Sequence, residues 1–228
     1  MKEGCIVRLN WLVYRRYMVK LLPLLGVDDP KTVWQQAKAK YKAEMKRLPD
    51  YGKYDVLKLN LAHAVMLGAI YESCEAKPTV DQLAKFYHDL VLAPELVRTA
   101  FAKKDMVSAK VMALQRRQGE KSQKAQHPYT WQYKMTEAGN RRFTLQFTRC
   151  GICDYLTSRG LRHIVPAMCA MDYAFGEAGN HLFLRKETLA TGGNMCDCTY
   201  IGKDVATAAE TEESRQDCLA EARRGGMH

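Results

Sequence analysis

Tyr129-Thr130-Trp131-Gln132-Tyr133-Lys134-Met135, answered by Arg142-Phe143-Thr144-Leu145-Gln146-Phe147, is the stretch on which the fold turns. In both runs large apolar side chains alternate with polar ones, the period-two pattern of a half-buried strand. Thr136-Glu137-Ala138-Gly139-Asn140 between them supplies turn residues, so the spacing predicts a β-hairpin. Downstream, Cys150 to Arg159 fits a short helix ended by Gly160, and Ile164 to about Glu177 fits a second. His181 to Glu187 reads as a third strand, Ala190 to Asn194 as a turn, and Cys196 to Ile201 as a fourth strand. Hairpin, two helices, hairpin describes a small antiparallel sheet with helices on one face.

Upstream the period is helical. Residues 5–25 carry Trp11, Leu12, Tyr14, Met18, Leu21, Leu22 and Leu25, which suit one buried helix face. Arg8, Arg15, Arg16, Lys20 and Pro23 interrupt the run, so it is not a membrane span. This helix is expected to pack on the domain or on a second subunit as a homo-oligomer contact; a helix lying on anionic lipid is the alternative. Asp29-Pro30 is a helix start. Val33, Trp34, Ala37, Tyr41, Met45 and Leu48 then form an apolar stripe opposite Lys31, Lys38, Lys40, Lys42 and Lys46. Asp55 to Cys74 is apolar nearly all round and predicts the central buried helix, with His63 as a core histidine. Thr79 caps another helix, Pro94 to Phe101 is a short segment, and a further helix covers Asp105 to Gln118. Residues 115–128 read as a linker or exposed loop. The expected fold class is therefore α+β. The helical region is 1–127, the cysteine-containing α+β domain 128–203, and 204–228 a polar, partly disordered tail that can form a loose surface helix.

At 228 residues the chain is long enough to bury a proper core. Eight cysteines are too sparse over this length for a disulfide scaffold, and no signal peptide is visible, so a cytoplasmic protein with free thiols is expected. The net charge of +10 permits an anionic partner. Basic residues spread over several helices without a reading motif argue against nucleic acid.

Five of the eight cysteines lie between Arg149 and Tyr200. Cys150-x-x-Cys153 falls at a strand-to-helix junction, where the first free amides of the helix favour thiolate. The same spacing serves a redox pair or a metal knuckle. Cys169 and Asp172 are three apart on one expected helix and share a face. They are either nucleophile and proton acceptor, two ligands of one metal, or a core thiol beside a surface charge. Cys196 and Cys198 are expected on opposite faces of their strand, at most one of them at the site.

These residues resemble the L-2-amino-thiazoline-4-carboxylic acid hydrolase family. The resemblance is carried by Arg149-Cys150 through Cys153, Gly160-Leu161, Pro166-x-x-Cys169-x-x-Asp172-Tyr173, a strand Arg185–Thr188, and Leu189-Ala190-Thr191-Gly192-Gly193-x-x-Cys196-Asp197. It covers residues 128–201, and Cys198 stands where the family pattern has an aromatic. It implies a hydrolase that opens a thiazoline ring at its amidine carbon to give S-carbamoyl cysteine. On that footing Cys169 or Cys196 is the expected nucleophile and Asp172 the base. Arg149 or Arg185 would hold the substrate carboxylate, with Gly192 and Gly193 letting backbone amides approach. Alternatively Cys150, Cys153, Cys169 and Cys196 hold a metal, a zinc ion, that supplies hydroxide. The reading from another class is a non-enzymatic protein that binds metal or a small ligand through the cysteine cluster.

Overall fold

The computed structural model describes Met1 and residues 5–224, with side chains for Met1 and residues 11–216. The helical half holds α1 (Cys5–Leu21), α2 (Pro30–Arg47), α3 (Lys58–Ser73), α4 (Val80–Leu92), α5 (Glu95–Lys103) and α6 (Ala109–Ser122). Local chemistry explains the starts. The Asp29 carboxylate accepts the amides of Lys31 at 3.1 Å and Thr32 at 3.2 Å, with Pro30 in the first turn. Thr79 and Gln82 form a reciprocal capping box before α4. α3 is buried on nearly every side and carries the centre of a core that runs from Trp11 to Cys198. His63 lies within it, its Nδ1 2.8 Å from the Tyr87 hydroxyl, and burial pulls its pKa down to about 4. Leu12 departs from the expected buried stripe of α1 and is 70% exposed.

The sheet contains β1 (Gln132–Gly139), β2 (Arg142–Arg149), β3 (His181–Leu184) and β4 (Cys196–Gly202), all pairs antiparallel, in the order β1-β2-β4-β3. The predicted hairpin forms, with Gly139, Asn140 and Arg141 at positive φ in its turn. Phe147 pairs with Cys196, Leu145 with Cys198 and Phe143 with Tyr200, so one face of the sheet is packed inward. Successive strand side chains alternate, and residues two apart therefore share a face. Cys196 and Cys198 both point inward, which corrects the expectation that they part.

Three boundaries differ from the sequence reading, each because a distant group captures a backbone atom. The segment read as a linker is helical through Ser122. Ser122 Oγ accepts the Tyr133 amide at 3.1 Å and the Gln123 side-chain amide donates to the Tyr133 carbonyl at 2.9 Å, tying α6 to edge strand β1. The expected helix from Ile164 to Glu177 is broken into α8 (Val165–Cys169) and α9 (Met171–Ala178). Arg185 Nη2 takes the Cys169 carbonyl at 3.0 Å, at the break. The third strand stops at Leu184, because the Asp197 carboxylate takes the amides of Lys186 at 2.9 Å and Glu187 at 2.8 Å. Arg185–Thr188 is therefore loop, not strand.

The polar tail forms α10 (Ala208–Arg224). Arg142 pairs with Glu210, and Ser214 Oγ donates to the Phe183 carbonyl at 2.8 Å, so the helix is fastened to β2 and β3. The expectation of disorder at the end of the chain falls partly on 225–228, outside the described residues. Among the described residues no helix is long and apolar enough to cross a membrane.

Candidate functional site

β2 ends at Arg149, Cys150 keeps extended geometry (φ −126°, ψ 114°), and α7 (Gly151–Ser158) begins at the next residue. Only glycine fits that next position: a Cβ there would stand 2.5 Å from the Tyr129 carbonyl oxygen and 2.8 Å from the Trp131 ring. The close approach fixes the start of α7 beneath the first hairpin. It also aims the unused amides of the helix at Cys150.

Cys150 makes no close side-chain cap bond. The Cys153 thiol nevertheless faces its sulfur as a donor, and the amides of Cys153 and Ile152 add to it, holding the Cys150 thiol below its ordinary pKa against the opposing effect of burial. Cys153 moves the other way. Its hydrogen bond to Cys150, then burial, then the nearby sulfurs of Cys150, Cys169 and Cys196, push it well above the thiol range. The two sulfurs are pushed in opposite directions, Cys150 down and Cys153 up.

The opposite wall is the turn Thr188–Gly193. Thr188 Oγ1 accepts the Ala190 amide at 3.2 Å and Gly192 takes φ 92°. A Cβ on Gly193 would meet Glu187 Cγ at 2.5 Å and the Thr188 carbonyl at 2.9 Å, so this wall also depends on a missing side chain. Cys196 lies behind it, buried, accepting the Leu189 amide at 3.3 Å and 3.5 Å from Thr188 Oγ1. Burial raises its pKa. Arg162 Nη2 donates to the Leu189 carbonyl at 2.7 Å and braces the two walls. Arg149 Nε donates to Asp154 at 2.8 Å, and its Nη2 to the Pro128 carbonyl at 2.5 Å. Between the walls is a cavity of about 430 Å³ lined by Arg149, Cys150, Cys153, Asp154, Arg162, Leu189, Gly192 and Gly193 among others.

Of the residues named from sequence, Arg149, Cys150, Cys153, Gly192 and Gly193 line this cavity, and Cys196 backs it. Cys169 stands half-buried within electrostatic reach of Cys153. Asp172 and Arg185 form a separate ion pair at 2.8 Å, with the guanidinium buried over the rings of Tyr173 and Phe183. Arg185 Nη1 also lies 4.0 Å from Cys198 Sγ. Asp154 and Arg162 were not singled out as site residues. The spacing held one clue: Asp154 is four residues beyond Cys150, hence on the same side of α7. Arg162 follows the Gly160 turn and nothing local marks it. Among the described residues no group of three or more His, Cys, Asp or Glu side chains is placed to hold a metal ion. Cys150, Cys153, Cys169 and Cys196 lie near one another without forming such a group.

The geometry defines a class: an α+β protein with a cysteine at a helix start in a cavity that Arg149 and Arg162 also line. The family model described as L-2-amino-thiazoline-4-carboxylic acid hydrolase matches residues 60–200, more than half the chain, and the chain belongs to that family. The match begins in α3, well upstream of the residues that carry the resemblance in sequence. No curated protein matches the chain. No solved structure matches it either.

Proposed function

We propose that the chain is a thiol-dependent hydrolase of small cyclic amidines that carry a carboxylate, of the 2-aminothiazoline-4-carboxylate type, with Cys150 as nucleophile. The observation that carries this reading is the place of the Cys150 sulfur, at the start of α7 and on the wall of a cavity that two arginines also line. The family name supports the hydrolase class.

Arg149 and Arg162 suit the substrate carboxylate, since a guanidinium has several N–H donors and neither spends all of them on its protein partners. Cys150 Sγ attacks the amidine carbon between ring sulfur and ring nitrogen. The carbon–nitrogen ring bond then breaks, and the nitrogen, protonated from solvent, leaves as the α-amine of a cysteine. Water adds to the enzyme-bound carbon, and Asp154, on the same cavity wall, takes its proton. The Cys150 thiolate departs, leaving an S-carbamoyl group and no net change in the enzyme. Two sulfurs compete to leave in that last step, and the one with the lower pKa leaves faster. The environment that activates Cys150 therefore also makes it the better leaving group. This assignment puts Cys150 in the role first given to Cys169 or Cys196, and Asp154 in that of Asp172.

The test is incubation of 2-aminothiazoline-4-carboxylate with the protein and mass-spectrometric detection of S-carbamoyl cysteine. Turnover should be lost in Cys150→Ser and kept in Cys196→Ala. Turnover in Cys150→Ser at the rate of the unaltered chain would overturn the proposed mechanism.

A further inference from the structure

A second cavity, of about 770 Å³, lies between α1 and α2, on residues that do not line the thiol pocket. Its volume is in the range of pockets that enclose a drug-sized molecule. Its lining is built from two helical lines of four-residue spacing: Trp11 and Arg15 on α1, and Trp34, Lys38, Lys42 and Lys46 on α2. Among the described residues the lining carries four cationic side chains, Arg15, Lys38, Lys42 and Lys46, and no carboxylate. Like charges at such spacing oppose one another on a helix, by about 0.2–0.5 kcal/mol per pair, so folding alone does not favour this line.

The aromatic part is equally specific. Trp34 lies between two of the cations, with the Arg15 guanidinium 4.8 Å and the Lys38 ammonium 4.9 Å from its ring centroid. Trp11 is 8% exposed, and its indole Nε1–H, buried, finds no acceptor among the described residues. The Trp34 Nε1–H is in the same condition. Both indoles thus bury their N–H and offer the cavity ring surface rather than a donor. Cationic rim and aromatic wall describe one ligand chemistry.

We infer that this cavity binds a small soluble organic anion with a flat apolar body and an acidic group. The body would lie against Trp11 and Trp34, and the acidic group would meet Arg15, Lys38, Lys42 and Lys46.

The probe is 1-anilinonaphthalene-8-sulfonate, followed by its own fluorescence, by tryptophan quenching and by calorimetry on the full chain. Saturable one-to-one binding is expected, weakening as salt is raised. Lys42→Glu with Lys46→Glu, both on exposed positions, should weaken it at least about tenfold, as two charge reversals warrant. The alkylation rate of Cys150 should be unchanged in this variant, which separates this site from the thiol pocket. Equal binding of the neutral N-phenyl-1-naphthylamine, or no loss in the lysine pair, overturns the inference. So does binding to anionic phosphatidylserine vesicles that displaces the soluble dye, since the face would then be a lipid surface.

Discussion

Replacing Cys153 with alanine isolates the interaction on which the thiol chemistry rests. The Cys153 thiol is the largest influence holding the Cys150 pKa down, ahead of the helix amides. A hydrogen bond to a charged acceptor contributes about 1.5–3 kcal/mol. Its loss should lower the thiolate-to-thiol ratio of Cys150 at fixed pH by roughly 10- to 100-fold, at about 1.4 kcal/mol per decade. The remaining thiolate is more basic and so more nucleophilic. With a Brønsted coefficient near 0.4–0.5, about half of that loss on a logarithmic scale is recovered. The net result at neutral pH is a slowing of roughly 3- to 10-fold, turning into an acceleration of similar size at a pH where both forms are ionised. The assay is iodoacetamide labelling across pH with each cysteine quantified by mass spectrometry, with Cys150→Ala identifying the fast site. The crossing of the two profiles is the distinctive result. Parallel profiles, or a variant that labels as fast as the parent at neutral pH, would refute the polarised pair.

Four further outcomes follow from the same coordinates. Gly151→Ala places a methyl 2.5 Å from the Tyr129 carbonyl and should cost about 1–3 kcal/mol in denaturant unfolding, as overpacked sites do, while slowing Cys150 labelling. Asp172→Asn removes the carboxylate from the buried Arg185 and should cost about 1–3 kcal/mol while leaving Cys150 labelling unchanged, since the ion pair stands apart from the thiol cavity. Burial lowers His63 and His181 to about 4 each, His181 with help from Lys203 and Lys104. A histidine lowered in the folded state contributes stability that is complete above its unfolded pKa of about 6.5 and lost as pH falls toward 4, so unfolding midpoints should drop across that window. Glu210 is lowered to about 2, first by its bond from Arg142 and then by the Thr207 amide, so the docking of α10 should persist at pH 5 and loosen between about 4.5 and 2. Glu210→Gln should abolish that last transition in a circular-dichroism titration of the helix.

What could be read in the sequence was what neighbours in the chain decide. Asp29-Pro30, Thr79 with Gln82, and the alternating hairpin were legible because caps and strand periodicity act over a few residues. The Cys150 junction was legible for the same reason, since its amides lie in the next three residues. The misread boundaries have the opposite origin. Arg185 breaks a helix at Cys169, sixteen residues before it, and Asp197 ends a strand by capturing the amide of Glu187, ten residues before it. Ser122 turns a polar segment into a helix end by binding Tyr133, eleven residues on. No local pattern encodes these captures, because the donor and acceptor meet only after the sheet has formed. Arg162 entered the site in the same way, through the Leu189 carbonyl.

The gathering of cysteines then acquires a physical meaning different from shared ligation. Sulfurs brought close in a poorly solvated region cannot all ionise, because each negative charge raises the pKa of the next. Cys153 is raised by Cys150, Cys169 and Cys196; Cys198 is raised by burial and by Cys196. Cys150 alone stands at a helix start with a thiol donor and two amides facing it. Cys153, Cys196 and Cys198 lack that position and are raised, and they serve as packing or as hydrogen-bond partners. A cluster of this kind concentrates reactivity on one atom, and its remaining members matter chiefly through what they do to that atom. Single substitutions of Cys196 or Cys198 should accordingly alter stability, or the ionisation of Cys150, without removing the chemistry.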